Sequence, residues 1–188
     1  MTHLKTHNNL ELLKACADGN RKAQMQLYDQ YSKAMYNVCL RMLGDSGWAE
    51  DVLQDLFLDV FSKASTFRGD SEPGAWIKRI AINKCLNQLQ KKRLDWISLE
   101  DDMDFVDDDF SETPPWTMQE INRAINSLPT GFRVILTLYL LEGYDHQEIS
   151  QILGISEGTS KSQYSRARQK LRKLLIESYG SVGKIHTQ

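Results

Sequence analysis

No apolar run in this chain of 188 residues approaches the length of a membrane span, and the opening MTHLKTHNNL lacks the apolar core of a signal peptide. Both absences count against export and membrane insertion, so a cytoplasmic protein is expected. Cysteine is equally sparse. Cys16, Cys39 and Cys85 are odd in number, widely spaced, without a CxxC pair and without a nearby histidine. That pattern excludes a disulfide framework or a zinc site and predicts three small buried hydrophobes in a reducing compartment. No metal, no cofactor and no small-molecule substrate is expected. Alternating apolar and polar stretches bounded by turn signals are also missing, so a β-sheet has no source.

What is present is helical patterning and an uneven distribution of charge. The net charge of −2 is an average over opposed segments. Residues 78–93 hold Lys78, Arg79, Lys84, Lys91, Lys92 and Arg93 and no acid, a local +6. Residues 157–173 hold six bases against Glu157, a local +5, and Asp95–Glu112 between them holds nine acids and no base. Two basic patches separated by an acidic segment suit a protein that meets polyanions at two places.

Apolar residues recur at helical spacing from Leu27 through Tyr31, Met35, Val38 and Met42, and again through Val52, Leu53, Leu56, Val60 and Phe61. Gly44-Asp45-Ser46-Gly47 breaks the two, with the second helix expected from Trp48 to about Lys63. A third is expected from Pro73, tolerated in a first turn, to about Arg93. Residues 94–115 are acidic, poor in periodic pattern, and end in Thr113-Pro114-Pro115, a linker composition. The expected fold is all-α: an N-terminal helical bundle over 1–93, an acidic flexible linker over 94–115, a second small helical domain over 116–180, and a tail over 181–188.

In the second domain Asp145-x-x-Glu148 is a capping-box pattern opening a short helix with Ile149, Ile152 and Leu153 facing inward. Gly154-Ile155-Ser156 forms a tight turn, and Ser156 caps a basic helix from about Glu157 to Ile176. Helix, short glycine-containing turn, helix is the arrangement of a helix-turn-helix, in which the second helix enters the DNA major groove. A solvated basic helix in an ordinary bundle is the alternative, and the capping box, turn and charge together favour DNA binding. The small residues Gly158, Thr159, Ser160 and Ser162 allow close approach to phosphate, Lys161 comes near base edges, and Arg166, Arg168 and Lys170 are positioned for backbone contact.

On the helix from Pro73, Trp76, Ile80, Asn83, Asn87, Gln90 and Lys91 share one face, with Ile77, Ala81, Cys85 and Leu89 on the adjoining core side. An aromatic ring, amides and cations on one face suit unpaired bases: the ring stacks, amides read base edges, cations hold phosphates. A tryptophan in this position serves equally well as a core aromatic, and spacing alone leaves both roles open. Just before it, residues 67–76 read FRGDSEPGAW and contain RGDS, a tetrapeptide gripped by adhesion receptors on some extracellular proteins. Without export or a disulfide scaffold the match is a coincidence of four letters, and the glycines and proline read as loop formers.

The run FRGDSEPGAWIKRIAINKCLN closely resembles the signature loop and promoter-melting helix of extracytoplasmic-function (ECF) sigma factors of bacterial RNA polymerase. Upstream, WAEDVLQDLFLDVF resembles their core-polymerase-binding helix. Downstream, SLPTGFRVILTLYLLEGYDHQEISQILGISEGTSKSQYSRARQKL resembles their C-terminal helix-turn-helix. The resemblance spans about Leu10 to Leu175 in order. It implies a dissociable polymerase subunit that recognises a −35/−10 promoter and melts the −10 region by binding energy alone, with no bond cut and hence no enzymatic activity. The implied partners are core RNA polymerase, promoter DNA as duplex and as melted non-template strand, and an anti-sigma factor.

Laid on residues, the resemblance assigns Asp51, Gln54, Asp55 and Phe57 to the grip on core polymerase. Asp51 and Asp55, one helical turn apart, suit arginines on a partner helix. It assigns the loop from Phe67 to Trp76, with Arg68 and Ser71, to capture of a flipped base, and Asn83 and Asn87 to reading of the −10 element. Lys78, Arg79, Lys84 and Lys91 supply the cations beside them. Thr159, Lys161, Ser162, Ser165, Arg166 and Arg168 fall on the helix facing the −35 element. Ser160 stands where a small apolar residue is frequent in the family and Gln163 where arginine is frequent, so the preferred −35 bases do not transfer.

Two rival readings are weaker. A stand-alone helix-turn-helix regulator gives no role to Asp51 and Asp55. A metal-dependent nuclease using Asp101, Asp102, Asp104 and Asp107–Asp109 would rest on acids in a linker, without a rigid frame or a histidine. The linker, 22 residues over 94–115, reaches at most roughly 75 Å, enough for two modules about two duplex turns, or roughly 70 Å, apart. Its nine acids are expected to repel free DNA. Replacing them by Asn and Gln is expected to raise the affinity of the isolated protein for promoter DNA in a binding titration, and an unchanged affinity refutes that role.

Overall fold

The computed structural model describes residues 2–91 and 116–182, with side chains over 9–91 and 116–178. The chain divides into two compact units, Met1–Leu94 and Asp95–Gln188. The expected linker at 94–115, with the acids of the nuclease reading, lies outside the described residues, as do residues 183–188 of the expected tail. Every described element is helical, as the patterning predicts, and no strand occurs among the described residues.

Unit 1 contains α1 (Thr2–Ala17), α2 (Arg21–Leu43), α3 (Ser46–Lys63) and α4 (Pro73–Lys91), with a 3-10 turn at Ala64–Thr66. The boundaries follow from local chemistry. Asn20 caps α2 by accepting from the Lys22 and Ala23 amides at 3.0 and 3.2 Å. Gly44 ends it with φ 71, a conformation costly for any residue with a β-carbon, and its amide donates to Leu40 O at 2.8 Å. Asp45 then caps α3 through the Trp48 amide at 2.8 Å, so α3 starts two residues ahead of the expected Trp48. Pro73 opens α4 as expected. Helix α1 is an element that the periodicity starting at Leu27 passes over; it buries Leu12, Leu13 and Cys16.

Helices α2, α3 and α4 pack on one another, and α1 lies on α2 and the 3-10 turn. Leu27, Met42, Leu56, Val60, Ile77, Ile82 and Leu89 are fully buried between them. All three cysteines are free and buried, as their spacing predicts. A hydrogen bond with Cys39 and burial together push the Cys85 thiol well above the usual thiol range, so Cys85 behaves as small apolar filler.

Unit 2 contains α5 (Met118–Asn126), α6 (Thr130–Leu136), α7 (His146–Leu153) and α8 (Glu157–Val182). Helix α8 ends two residues past the expected domain limit at 180. A Thr117–Glu120 capping box starts α5. Arg133 is buried in α6 and donates to the carbonyls of Asn126 and Leu128 at 3.2 and 3.1 Å, satisfying the end of α5. Helix α6 continues into one π-helical turn, Thr137–Leu141, closed by the Glu142 amide on Thr137 O at 3.0 Å. Core side chains Phe132, Val134, Ile135, Leu136 and Leu138 are buried, with α8 packed across α5, α6 and α7.

Truncating a fully buried leucine removes transfer energy and leaves a cavity. Leu56→Ala is expected to lower the stability of unit 1 by about 2–5 kcal/mol, read as a shift of its urea midpoint, and a near-neutral variant contradicts the packing described.

Candidate nucleic-acid and protein interfaces

Three surfaces emerge from the helices just described, two on unit 1 and one on unit 2. On α3 the core stripe is Val52, Leu53, Leu56, Phe57 and Val60. Its burial turns Asp51, Gln54 and Asp55 to solvent. Leu58 completes that face three residues beyond Asp55 and is 68% exposed, an apolar contact on an otherwise polar stripe that the sequence reading did not single out. Phe57 differs from its expected companions. Only 3% exposed, its ring lies 4.7 Å from Tyr28 and 5.9 Å from Phe61, so it packs under the face and is not part of it.

The second surface is the loop after α3 together with the outer face of α4. Phe67 is extended, and Gly69 follows at φ 82, a left-handed turn that favours glycine. Gly74 plays another part than loop former: it lies inside α4, where a β-carbon would come 3.0 Å from the Tyr31 ring. Phe67 and Trp76, at the two ends of the loop, meet with ring centroids 5.2 Å apart at 52°. Both rings are half-buried, so Trp76 is neither a core aromatic nor a free one. Arg68, Ser71, Arg79, Asn83, Asn87, Gln90 and Lys91 are exposed, while Lys78 and Lys84 are half-buried.

Lys84 reaches across to α3, where its Nζ lies 3.1 Å from Asp59 Oδ2; Lys63 Nζ is 2.9 Å from the same oxygen. Hydrogen bonds from Lys63 and then Lys84 hold the Asp59 carboxyl below the usual carboxylate range. Lys84 is therefore partly neutralised, unlike Arg79.

The third surface is the helix-turn-helix. The capping box closes as expected, with Asp145 accepting from the Glu148 amide at 2.8 Å and Glu148 from the Asp145 amide at 2.9 Å. Gly154 turns the chain at φ 68, and Ser156 caps α8 through the Thr159 amide at 3.0 Å. Ile149 is fully buried in the elbow, whereas Ile152 and Leu153 are only half-buried. On α8, Lys161 is exposed but paired with Glu157 at 2.7 Å, which raises the lysine pKa. Thr159, Ser162, Ser165 and Arg166 are half-buried. Ser165 and Arg168 line a groove with Trp116, Leu140 and Leu175, and the Arg168 guanidinium sits 5.9 Å over the Tyr164 ring. Ser160 is fully buried, and His146 meets it at 2.9 Å; no spacing rule points to this pair.

Among the described residues no helix is long and apolar enough to cross a membrane, and no group of three or more His, Cys, Asp or Glu could hold a metal ion. Two family models match: Sigma-70 region 2 over residues 27–94 and Sigma-70 region 4 over residues 118–171. The chain is 31% identical over 168 residues to the ECF RNA polymerase sigma factor SigM of Mycobacterium tuberculosis (strain Erdman), covering 89% of this chain and 85% of that protein. It is 27% identical over 184 residues to the ECF RNA polymerase sigma factor SigW of Bacillus subtilis, covering 87% and 94%. In fold it is similar to the sigma factor RpoE of Bartonella quintana, solved in complex with the anti-sigma factor NepR, with a TM-score of 0.56, 24% identity and coverage of 81% and 96%.

Because the Asp59 pKa is depressed in the fold, its contribution to stability is present above the ordinary carboxylate range and disappears as pH falls through the depressed value. Asp59→Asn should therefore flatten the loss of unit 1 stability on the acid side, seen in urea midpoints between neutral and about pH 3. Parallel profiles for the two proteins would refute the bridge.

Proposed function

This chain belongs to the ECF RNA polymerase sigma factors, and we propose how its surfaces divide the work. It is a promoter-recognising subunit of RNA polymerase. In the proposed division, α3 binds core polymerase, the loop and outer face of α4 take the −10 element, and α8 takes the −35 element.

On α3, Asp51 and Asp55 meet cations of the polymerase, Gln54 adds hydrogen bonds, and Leu58 supplies the apolar contact that desolvates them. Phe57 holds the face rigid from beneath. On α4, Phe67 and Trp76 open from their mutual contact to accept an extruded base, with Arg68 and Ser71 at the loop. Asn83 and Asn87 read base edges, and Lys78, Arg79 and Lys91 hold the non-template backbone. Lys84 joins them only by exchanging Asp59 for a phosphate, and Lys161 only by exchanging Glu157, so each adds less affinity than a free cation. Thr159, Ser162, Ser165, Arg166 and Arg168 complete the −35 contact.

The observation that carries this reading is the pairing, within one small unit, of an exposed carboxylate face on α3 with an exposed amide-and-cation face on α4. A stand-alone regulator needs only the helix-turn-helix. Sigma factors are generally non-enzymatic, and we assign no reaction to this chain: strand separation proceeds by binding energy. The protein works in the cytoplasm with its polymerase. An anti-sigma protein keeps it silent, in line with the RpoE–NepR complex.

Asp55→Arg decides the matter. Charge reversal at an exposed site is expected to leave the circular dichroism spectrum unchanged and to weaken binding to core polymerase by about a hundredfold or more, abolishing run-off transcription. Retained transcription, or specific duplex binding without polymerase, overturns the reading in favour of a stand-alone regulator.

A further inference from the structure

We propose that His146 and Ser160 form a positioning pair that sets how the recognition helix α8 presents its first turn to the −35 bases. The inference rests on the assignment of unit 2 to that element. Ser160 stands between the half-buried Thr159 and the exposed Lys161, yet it is itself 0% exposed. Its hydroxyl lies 2.9 Å from His146 Nδ1, and the contact spans 14 residues, from the first residue of α7 to the first turn of α8. It therefore ties the two helices of the motif together directly across the elbow.

A small apolar residue at position 160 would seal the same elbow. Apolar contact is non-directional, however, and leaves α8 free to roll against α7, whereas a hydrogen bond weakens steeply with angle and defines one orientation. The imidazole can supply that direction only if its own ring is held, and it is. The Tyr139 ring stacks on it at 4.5 Å and 20°, and the Tyr164 ring meets it edge-on at 5.6 Å. Tyr139 and Tyr164 also touch, at 4.3 Å.

Tyr139 reaches His146 from the middle of the π-helical turn. One extra residue in a helical turn rotates every later side chain by about 100°, so the irregular turn belongs to the same device. On the other side, Tyr164 lies under Arg168 at 5.9 Å. The stack thus holds two parts of α8 at once: the turn bearing Thr159 and Lys161, and Arg168 two turns further on. Base readout needs both in register with the groove, because bidentate contacts to base edges tolerate little displacement.

The test uses holoenzyme assembled from core polymerase and full-length protein. The probe is a promoter fragment selected by the wild-type holoenzyme from a library randomised over the upstream element, compared with the same fragment carrying that element scrambled. Ser160→Ala should reduce the ratio of affinities for the intact and scrambled probes by about tenfold, with affinity for the scrambled probe and the thermal melting temperature unchanged. His146→Phe, which keeps the stack and loses the ring nitrogen that meets Ser160, should produce the same loss, and the double variant should be no worse than either single one. A purely structural role would move melting and both probes together. An unchanged ratio in Ser160→Ala, or additive losses in the double variant, overturns the pair. A wild-type holoenzyme indifferent to the upstream element overturns the −35 assignment and this inference with it.

Discussion

Each of the three surfaces includes the outside of a helix whose inside is fixed by apolar packing. In unit 1 the constraint is the shared core of α2, α3 and α4, where Leu27, Met42, Leu56, Ile77, Ile82 and Leu89 are fully buried. A helix has only one rotation that buries a given stripe. Once Leu56 and Val60 are inside, Asp51, Gln54, Asp55 and Leu58 have to be outside. The same holds on α4, where burying Ile77, Ala81, Cys85 and Leu89 presents Arg79, Asn83 and Asn87. Two unlike surfaces, one acidic and one basic, thus coexist on one small unit.

The cations are tempered by nearby acids. Asp59 holds Lys63 and Lys84, and Glu157 holds Lys161, each at 3.1 Å or less. The three pairs are partly or largely solvent-accessible, so each contributes only modestly to stability. Their consequence concerns binding: a phosphate that displaces a carboxylate gains less than one meeting a bare ammonium.

Much of the fold was legible because its signals are local. The Asp145–Glu148 capping box, the Gly154 turn and the Ser156 cap each involve residues within a few positions of one another, and all are formed. The three isolated cysteines are buried as their spacing predicts. What escaped was decided by packing. Helix α1 carries too irregular a pattern to be read alone, yet Leu13 and Cys16 are buried where it crosses α2. Lys84 belongs to a basic run, and only the proximity of α3 and α4 joins it to Asp59.

The sequence by itself determined α2, α3, α4 and the helix-turn-helix with its caps, and the distribution of charge, because spacings of two to four residues translate directly into neighbours along one helix. It did not determine which side of α3 each residue occupies at the margin. Phe57 and Leu58 are adjacent apolar residues, and the resemblance assigned the contact to Phe57. Tertiary structure buries Phe57 against Tyr28 and exposes Leu58, since a step of one residue turns about 100° around a helix. The link between His146 and Ser160 belongs to the same class. Fourteen residues separate them along the chain, and only the folding of the π-helical turn, α7 and α8 against one another brings the two side chains within a hydrogen bond.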